Sequence, residues 1–358
     1  MAHRPGGGPR RAALGVTDRR QTEESIGERL AGLLDHLGVG ANRDQLTELL
    51  QTVVRLAHDS SDRLDLKIAN AALKEMAEGF EVFAPYRKAR KVTMFGSART
   101  LPTDPLYAQA RDLARRLAAE GWSTVTGAGP GIMAAGLEGA GPEHSFGINI
   151  RLPFEQGANE FIASDPKLVS MKYFFTRKLL LIKESDGYAV LPGGFGTLDE
   201  AFELLTLLQT GKAEPAPVVL LEVPGGSYWK GWEDFLVREV ASRGLIDLHD
   251  RCLYRITDSV EEATAEILGF YRNFHSLRFV GDRLVIRLQR APSPEQAARL
   301  SADFADIVTR GTLEVLDRPL PAERRPEDNP DLPRVVLRFD RLSYARLRQL
   351  IDDINALV

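Results

Sequence analysis

Apolar residues fall in distinct rhythms along this chain, and the changes between them divide it. From Gln21 to Ala84 the spacing is helical: Leu30, Leu33, Leu34 and Leu37 share one face, as do Leu46, Leu49, Leu50 and Val53. Gly38-Val39-Gly40 breaks the first two of these helices, and Asp62 to Phe83 continues the pattern. From Arg90 short apolar runs alternate with amphipathic stretches. Strands are predicted over Lys91–Phe95, Ser123–Thr126, Phe146–Leu152, Tyr188–Leu191 and Pro217–Glu222. Helices are predicted over Pro105–Glu120, from Gly131 through Ala140, and over Phe174–Ser185, Thr197–Gln209 and Trp229–Arg243. After about Phe274 the pattern shifts again. Strands are predicted over Leu284–Leu288, Thr312–Leu316 and Arg334–Phe339, and helices over Pro294–Val308 and Tyr344–Ile354. A Pro- and charge-rich loop fills Arg318 to Pro333.

Strands alternating with helices imply right-handed βαβ units and a mostly parallel sheet. The predicted class is therefore α/β: a Rossmann-like, doubly wound parallel sheet, with an N-terminal helical segment and a small C-terminal α+β appendage. The boundaries read as an arm over 1–20, a helical preface over 21–89, the Rossmann-like domain over 90–275 and the appendage over 276–358. Ligands of such sheets bind beyond the carboxyl ends of the strands. Gly-containing turns at Gly96, Gly127 and Gly193 all fall at such ends, which places them on one crevice.

Composition narrows the function classes. The chain has 358 residues and a formal net charge of −4, with no basic stripe interleaved with aromatics, so nucleic acid is not an expected partner. One cysteine, Cys252, builds no intrachain disulfide, and no Cys/His cluster suggests zinc or another metal. No apolar run approaches the ~18 residues of a membrane span. Met1 to Arg20 is rich in Gly and Arg but lacks the apolar centre of a signal peptide, so a disordered arm and a cytoplasmic location are expected.

The chemistry concentrates in Ala189-Val190-Leu191-Pro192-Gly193-Gly194-Phe195-Gly196-Thr197-Leu198-Asp199-Glu200. An apolar strand runs through Gly193, Gly194 and Gly196 into a helix. Free N–H groups at such a helix start, reinforced by its dipole, form an anion site suited to phosphate. Thr197-x-x-Glu200 is also a capping box, in which Glu200 would only reach back to the Thr197 N–H. A cap does not need three glycines ahead of it, and a turn that admits a ligand does. Arg177-Lys178 lies among Phe174, Phe175, Leu179, Leu180 and Leu181, where an embedded Arg needs an anion such as a substrate phosphate or Glu200. Gly129-x-Gly131-x-x-Ala134 fits a loose dinucleotide fingerprint with Glu155 ~20 residues on. A P-loop and a Gly-x-Ser-x-Gly elbow are both missing.

Pro192 to Glu200 resembles the Pro-Gly-Gly-x-Gly-Thr-x-x-Glu signature of the Lonely Guy (LOG) family of phosphoribohydrolases, often labelled lysine decarboxylases. Arg177-Lys178 sits where that family has its Arg-Lys, and Gly96-Ser97 and Gly131-Ile132-Met133 fit its two earlier loops. The resemblance covers roughly Lys91 to Leu268 and is closer to the longer bacterial members. In two places the chain departs from the pattern: Phe174-Phe175 replaces Met-His, and Thr126-Gly127-Ala128 replaces Gly-Gly-Gly. The resemblance implies hydrolysis of a nucleoside 5′-monophosphate, AMP or an N6-modified AMP of the cytokinin type, to free base and ribose 5-phosphate. It implies Arg177 and Glu200 as catalytic residues. Gly96, Ser97, Gly127, Gly129, Gly131, Lys178, Gly193, Gly194, Gly196 and Thr197 would bind phosphate and substrate. It further implies no cofactor, no metal and a homodimer or larger homo-oligomer. Lysine decarboxylation, by contrast, normally needs pyridoxal phosphate on a lysine, and no local pattern marks Lys172, Lys178 or Lys183 for that role.

Two other classes fit parts of the sequence. One is a non-hydrolytic carrier of a nucleotide or phosphorylated pterin cofactor with the same pocket. The other is an NAD-dependent enzyme using Gly129, Gly131 and Glu155, which leaves the Pro192–Glu200 signature without a purpose.

Overall fold

The computed structural model describes residues 16–58, 62–151, 157–323 and 329–358. The chain divides between Leu73 and Lys74 into two units. In the first, α1 (Val16–His36) and α2 (Arg43–His58) are joined by a turn in which Gly38 and Asn42 take positive φ. Arg43 closes this hairpin, pairing with Asp35 and donating to the Ala31 carbonyl at 2.6 Å. Most of the arm expected over 1–20 lies outside the described residues, and α1 already begins at Val16. The long helix α3 (Arg63–Phe83) crosses the division.

The second unit carries a seven-stranded sheet built from β1 (Lys91–Phe95), β2 (Ser123–Thr126), β3 (Ser145–Ile150), β4 (Leu168–Met171), β5 (Gly187–Val190), β6 (Val218–Leu221) and β7 (Arg255–Thr257). The order is β4-β3-β2-β1-β5-β6-β7, and every neighbouring pair is parallel. This is the doubly wound α/β arrangement expected from the alternation of strands and helices. The connecting helices are α4 (Pro105–Ala119), α5 (Ile132–Ala140), α6 (Phe174–Lys183), α7 (Phe195–Gln209), α8 (Tyr228–Phe235) and α9 (Val260–Gly269). Strands buried on both faces need apolar residues in both directions. Val92 and Met94 accordingly join one core with Leu113, Ala189 and Leu191, while Phe95 and Val190 join another with Phe146, Leu204 and Trp229.

β4, β7 and α9 were not anticipated from the sequence. β4 and β7 are four and three residues long and carry polar side chains, which hides a two-residue period. β3 ends at Ile150, and Leu152 lies outside the described residues. The long helix predicted over Trp229–Arg243 is α-helical to Phe235 and continues as a π-helical stretch over Leu236–Val240 and a 3₁₀ turn over Ala241–Arg243.

A four-stranded antiparallel sheet of order β10-β11-β9-β8 follows, from β8 (Phe274–Val280), β9 (Arg283–Leu288), β10 (Glu314–Leu316) and β11 (Arg334–Leu337). The helices α10 (Pro294–Asp303) and α11 (Tyr344–Asn355) share its core, where Leu284, Ile286, Leu300, Leu347 and Ile351 are fully enclosed. β8 was not anticipated, because its register shifts between Phe274 and Ser276 and breaks the alternation.

Candidate functional site

Strand order reverses between β1 and β5: the chain runs outward from β1 to β4, then returns to the other side of β1 as β5. Crevices at the carboxyl ends of such a pair are where doubly wound sheets bind ligands. Here those ends are Gly96-Ser97 and Pro192-Gly193. They are tied directly, the Ser97 N–H donating to the Pro192 carbonyl at 3.3 Å. The next turn joins them through Ile132, whose N–H donates to the Ser97 carbonyl at 3.0 Å. Gly131 makes this approach possible: its φ is +68°, and a Cβ there would stand 2.3 Å from the Ser97 carbonyl oxygen. A Cβ at Gly96 would run into Ile132, and one at Gly129 would meet Met133 Cε at 2.7 Å. Three of the expected ligand-binding glycines therefore hold the turns together.

α7 begins two residues earlier than its sequence suggests. Its N-cap is Gly194, so Thr197 is its third residue rather than its cap. The capping box weighed for Thr197 and Glu200 is not formed, and among the described residues Glu200 makes no hydrogen bond to the backbone. The N–H groups of Phe195, Gly196 and Thr197 likewise have no acceptor among the described residues. Around Gly194 and Gly196 there is open space, while a Cβ at Gly193 would stand 2.2 Å from Thr197 Oγ1. A helix start left open in this way is an anion cradle.

Arg177 is buried on α6, and its Nε donates to the Ile148 carbonyl of β3 at 3.0 Å. Its guanidinium rests on Gly127, where a Cβ would come within 1.8 Å of Nη2. Gly127 is thus the bed of an arginine. Glu200 is half-buried. Burial pushes its carboxyl up to about 7, against the opposing pull of Arg177 and Lys178, with Asp199 and Glu203 adding a smaller upward push. A carboxyl poised there exchanges protons near neutral pH.

Lys178 is paired within the fold. Its ammonium is held by Asp199 at 2.6 Å and Glu203 at 2.7 Å, both on α7. With these two carboxylates around it, it straps α6 to α7. Glu155, the ribose partner of the NAD alternative, lies outside the described residues.

Four residues of this region had escaped notice. Glu75 accepts hydrogen bonds at the start of α6. Tyr228 donates its hydroxyl to the Gly193 carbonyl at 2.7 Å. Glu222, at the carboxyl end of β6, accepts from the Tyr228 N–H at 2.9 Å and so holds Tyr228 in place. Asn159 grips the Gly127–Gly131 turn, donating from Nδ2 to the Gly129 carbonyl and from its N–H to the Ala128 carbonyl, both at 2.8 Å. Only Glu222 left a trace in the sequence, as a charge ending an apolar strand.

Residues 122–267 match a family model described as "Possible lysine decarboxylase". A probable cytokinin riboside 5′-monophosphate phosphoribohydrolase of Arabidopsis thaliana, LOG6, is 32% identical over 120 residues, which are 32% of this chain and 58% of that protein. LOG4 of Oryza sativa subsp. japonica, which carries the same description, is 28% identical over 187 residues, 50% of this chain and 76% of that protein. Among solved structures, the molybdenum cofactor binding protein of Rippkaea orientalis is 21% identical, covers 49% of this chain and 93% of that one, and has a TM-score of 0.34. Over its Rossmann-like domain this chain is therefore similar to the LOG phosphoribohydrolases, and it spans less than two thirds of the length of LOG6.

Proposed function

We propose that this protein hydrolyses the N-glycosidic bond of a nucleoside 5′-monophosphate, AMP or an N6-modified AMP of the cytokinin riboside type, to free base and ribose 5-phosphate. The observation that carries this reading is the Glu200 carboxyl. It stands just past the first turn of α7, below a cradle of open N–H groups, and is not spent on capping its own helix.

In this reading the 5′-phosphate occupies the N–H groups of Phe195, Gly196 and Thr197, with Gly194 and Gly196 leaving room for its oxygens. The ribose then lies towards Glu200. A water gives a proton to Glu200 and adds its oxygen to C1′. The C1′–N bond breaks, and its electron pair leaves with the base, which takes up a proton from solvent, while Glu200 afterwards returns to solvent the proton it took from the water. Positive charge grows on the ribose ring as the bond lengthens, and ionised Glu200 stabilises it. Arg177 balances Glu200 and keeps its carboxyl from rising further.

The alternative in the family description finds no support at Lys178. Its two carboxylate partners raise its pKa, whereas a Schiff-base lysine needs its ammonium destabilised. Exposed apolar side chains support a homodimer: Phe174, Phe175 and Leu179 on α6 are 54%, 56% and 43% exposed, and Phe195 at the start of α7 is 94% exposed.

The test is incubation of the pure protein with AMP, N6-modified AMP and the other monophosphates, nucleosides serving as controls, followed by chromatography. Equimolar base and ribose 5-phosphate from a monophosphate, and none from a nucleoside, is the expected result. Tight retention of intact nucleotide with no base released would replace this reading with a carrier.

A further inference from the structure

Helix α6 presents Arg177 to the site, yet its own N-cap, Tyr173, supplies no side-chain acceptor. The acceptor comes from α3, about a hundred positions earlier. Buried Glu75 receives the Lys172 N–H at 2.8 Å on Oε1. On Oε2 it receives the Thr176 hydroxyl at 2.6 Å and the Tyr173 N–H at 3.4 Å. Both carboxylate oxygens are thus engaged, and the charge lies at the positive end of the α6 dipole. Thr176, itself fully enclosed, is the residue directly before Arg177.

We infer that Glu75 is a positioning residue: it fixes the first turn of α6 so that Arg177 lies on Gly127 and faces Glu200. This rests on the proposed reading of Arg177 and Glu200. A cap that served helix stability alone would sit in the flanking residues of α6, as Ser259 does for α9 and Ser293 for α10. Here a buried carboxylate is brought in from another helix to the one turn that precedes the site arginine. Glutamine cannot replace it, because its NH₂ would face one of three donors.

The experiment follows the Glu200 carboxyl by carbon-13 NMR in protein labelled at glutamate side chains, its signal assigned by its loss in Glu200→Gln. The charged groups facing Glu200 are Arg177 and Lys178 on α6 and Asp199 and Glu203 on α7. Removing the negative charge of Glu75 can by itself only lower the Glu200 midpoint. If Glu75 acts by holding Arg177 in place, Glu75→Gln raises that midpoint, in the same direction as Arg177→Gln. It then adds nothing further in the Arg177→Gln background. Thr176→Val, which removes one of the three donors and leaves the charge, gives a smaller upward move and guards against a misfolded Glu75 variant. Where turnover is measurable, kcat in Glu75→Gln falls about tenfold, and no further in the Arg177→Gln background.

A midpoint unmoved or lowered in folded Glu75→Gln overturns the inference, as does a drop in kcat that multiplies with that of Arg177→Gln. Because the titration is read without substrate, a protein that releases no base from any monophosphate still answers the question about Glu75. The failure of one reading is therefore separable from the failure of the other.

Discussion

Gly127 and Arg177 occupy one space: a methyl group on the first would stand 1.8 Å from Nη2 of the second. The loop glycine and the helix arginine are 50 positions apart, and β3 bridges them through the Ile148 carbonyl that anchors Nε. The tip of an arginine can swing away, so Gly127→Ala should cost the fold only ~1 kcal/mol, including the contact with Met133 Sδ. Catalysis should suffer far more, since a displacement of roughly 1 Å in a charged group costs on the order of a hundredfold. Thermal unfolding and base-release kinetics on the same preparation should therefore part company: a fall of a few degrees, and a loss of kcat of about two orders of magnitude.

Glu200 links activity to stability with opposite signs. Its folded-state pKa is raised from 4.5 to about 7. Below 4.5 the group is protonated in both folded and unfolded chains and contributes no difference. As pH rises from 4.5 towards 7 the unfolded chain loses the proton first, so the fold loses stability, and above 7 the deficit is constant. Glu200→Gln should abolish base release and also stabilise the fold at pH 8 by roughly 1–3 kcal/mol, with little change at pH 4. Denaturant unfolding at the two pH values reads the difference. Wild-type kcat/KM should in turn rise with pH through a limb near 7, as the carboxyl becomes able to accept a proton.

How far this was legible in the sequence depends on the range of the interaction. Gly193 to Glu200 is a local arrangement, and the strand, turn and helix that it spelled out are all present. The start of α7 was misplaced by two residues because Thr-x-x-Glu imitates a cap, whereas the chain enters the helix through Gly194. β1, β5 and β6 showed as short, largely apolar runs, and β2 as a β-branched run leading into Gly127. β8 did not, because its irregularity at Phe274 disturbs the two-residue period. Gly127 was ambiguous for a different reason: a glycine that accommodates a side chain looks the same in sequence as one that admits a phosphate. Glu75 and Asn159 left no signal at all, since each acts on a backbone segment brought near only by the fold.

Tyr228 tests the floor of the phosphate cradle. Its hydroxyl donates to the Gly193 carbonyl, and Glu222 fixes its backbone. Tyr228→Phe removes one hydrogen bond, worth ~1 kcal/mol, and keeps the ring packed against Trp229. The turn loosens while Glu200 and Arg177 stay in place. The expected signature is a KM for the monophosphate raised about fivefold with kcat within twofold of wild type. A loss in kcat at unchanged KM would place Tyr228 in the chemistry instead.

The exposed aromatics at the site's rim carry the prediction for assembly. Phe175 and Leu179 are four residues apart on α6 and therefore share a face; each is exposed by more than two fifths. An isolated chain gains nothing from holding such side chains in water, and a second copy would cover them. Placing a charge there leaves the buried face of α6, with Leu180 and Leu181, untouched. Phe175→Asp combined with Leu179→Asp should convert a dimer in analytical ultracentrifugation into a monomer while the far-ultraviolet circular dichroism stays the same. If the active site draws on the partner, base release falls with the dimer fraction and returns as protein concentration is raised. A wild-type chain that sediments as a monomer at micromolar concentration would remove this face from the account and leave the cradle, Arg177 and Glu200 to act within one copy.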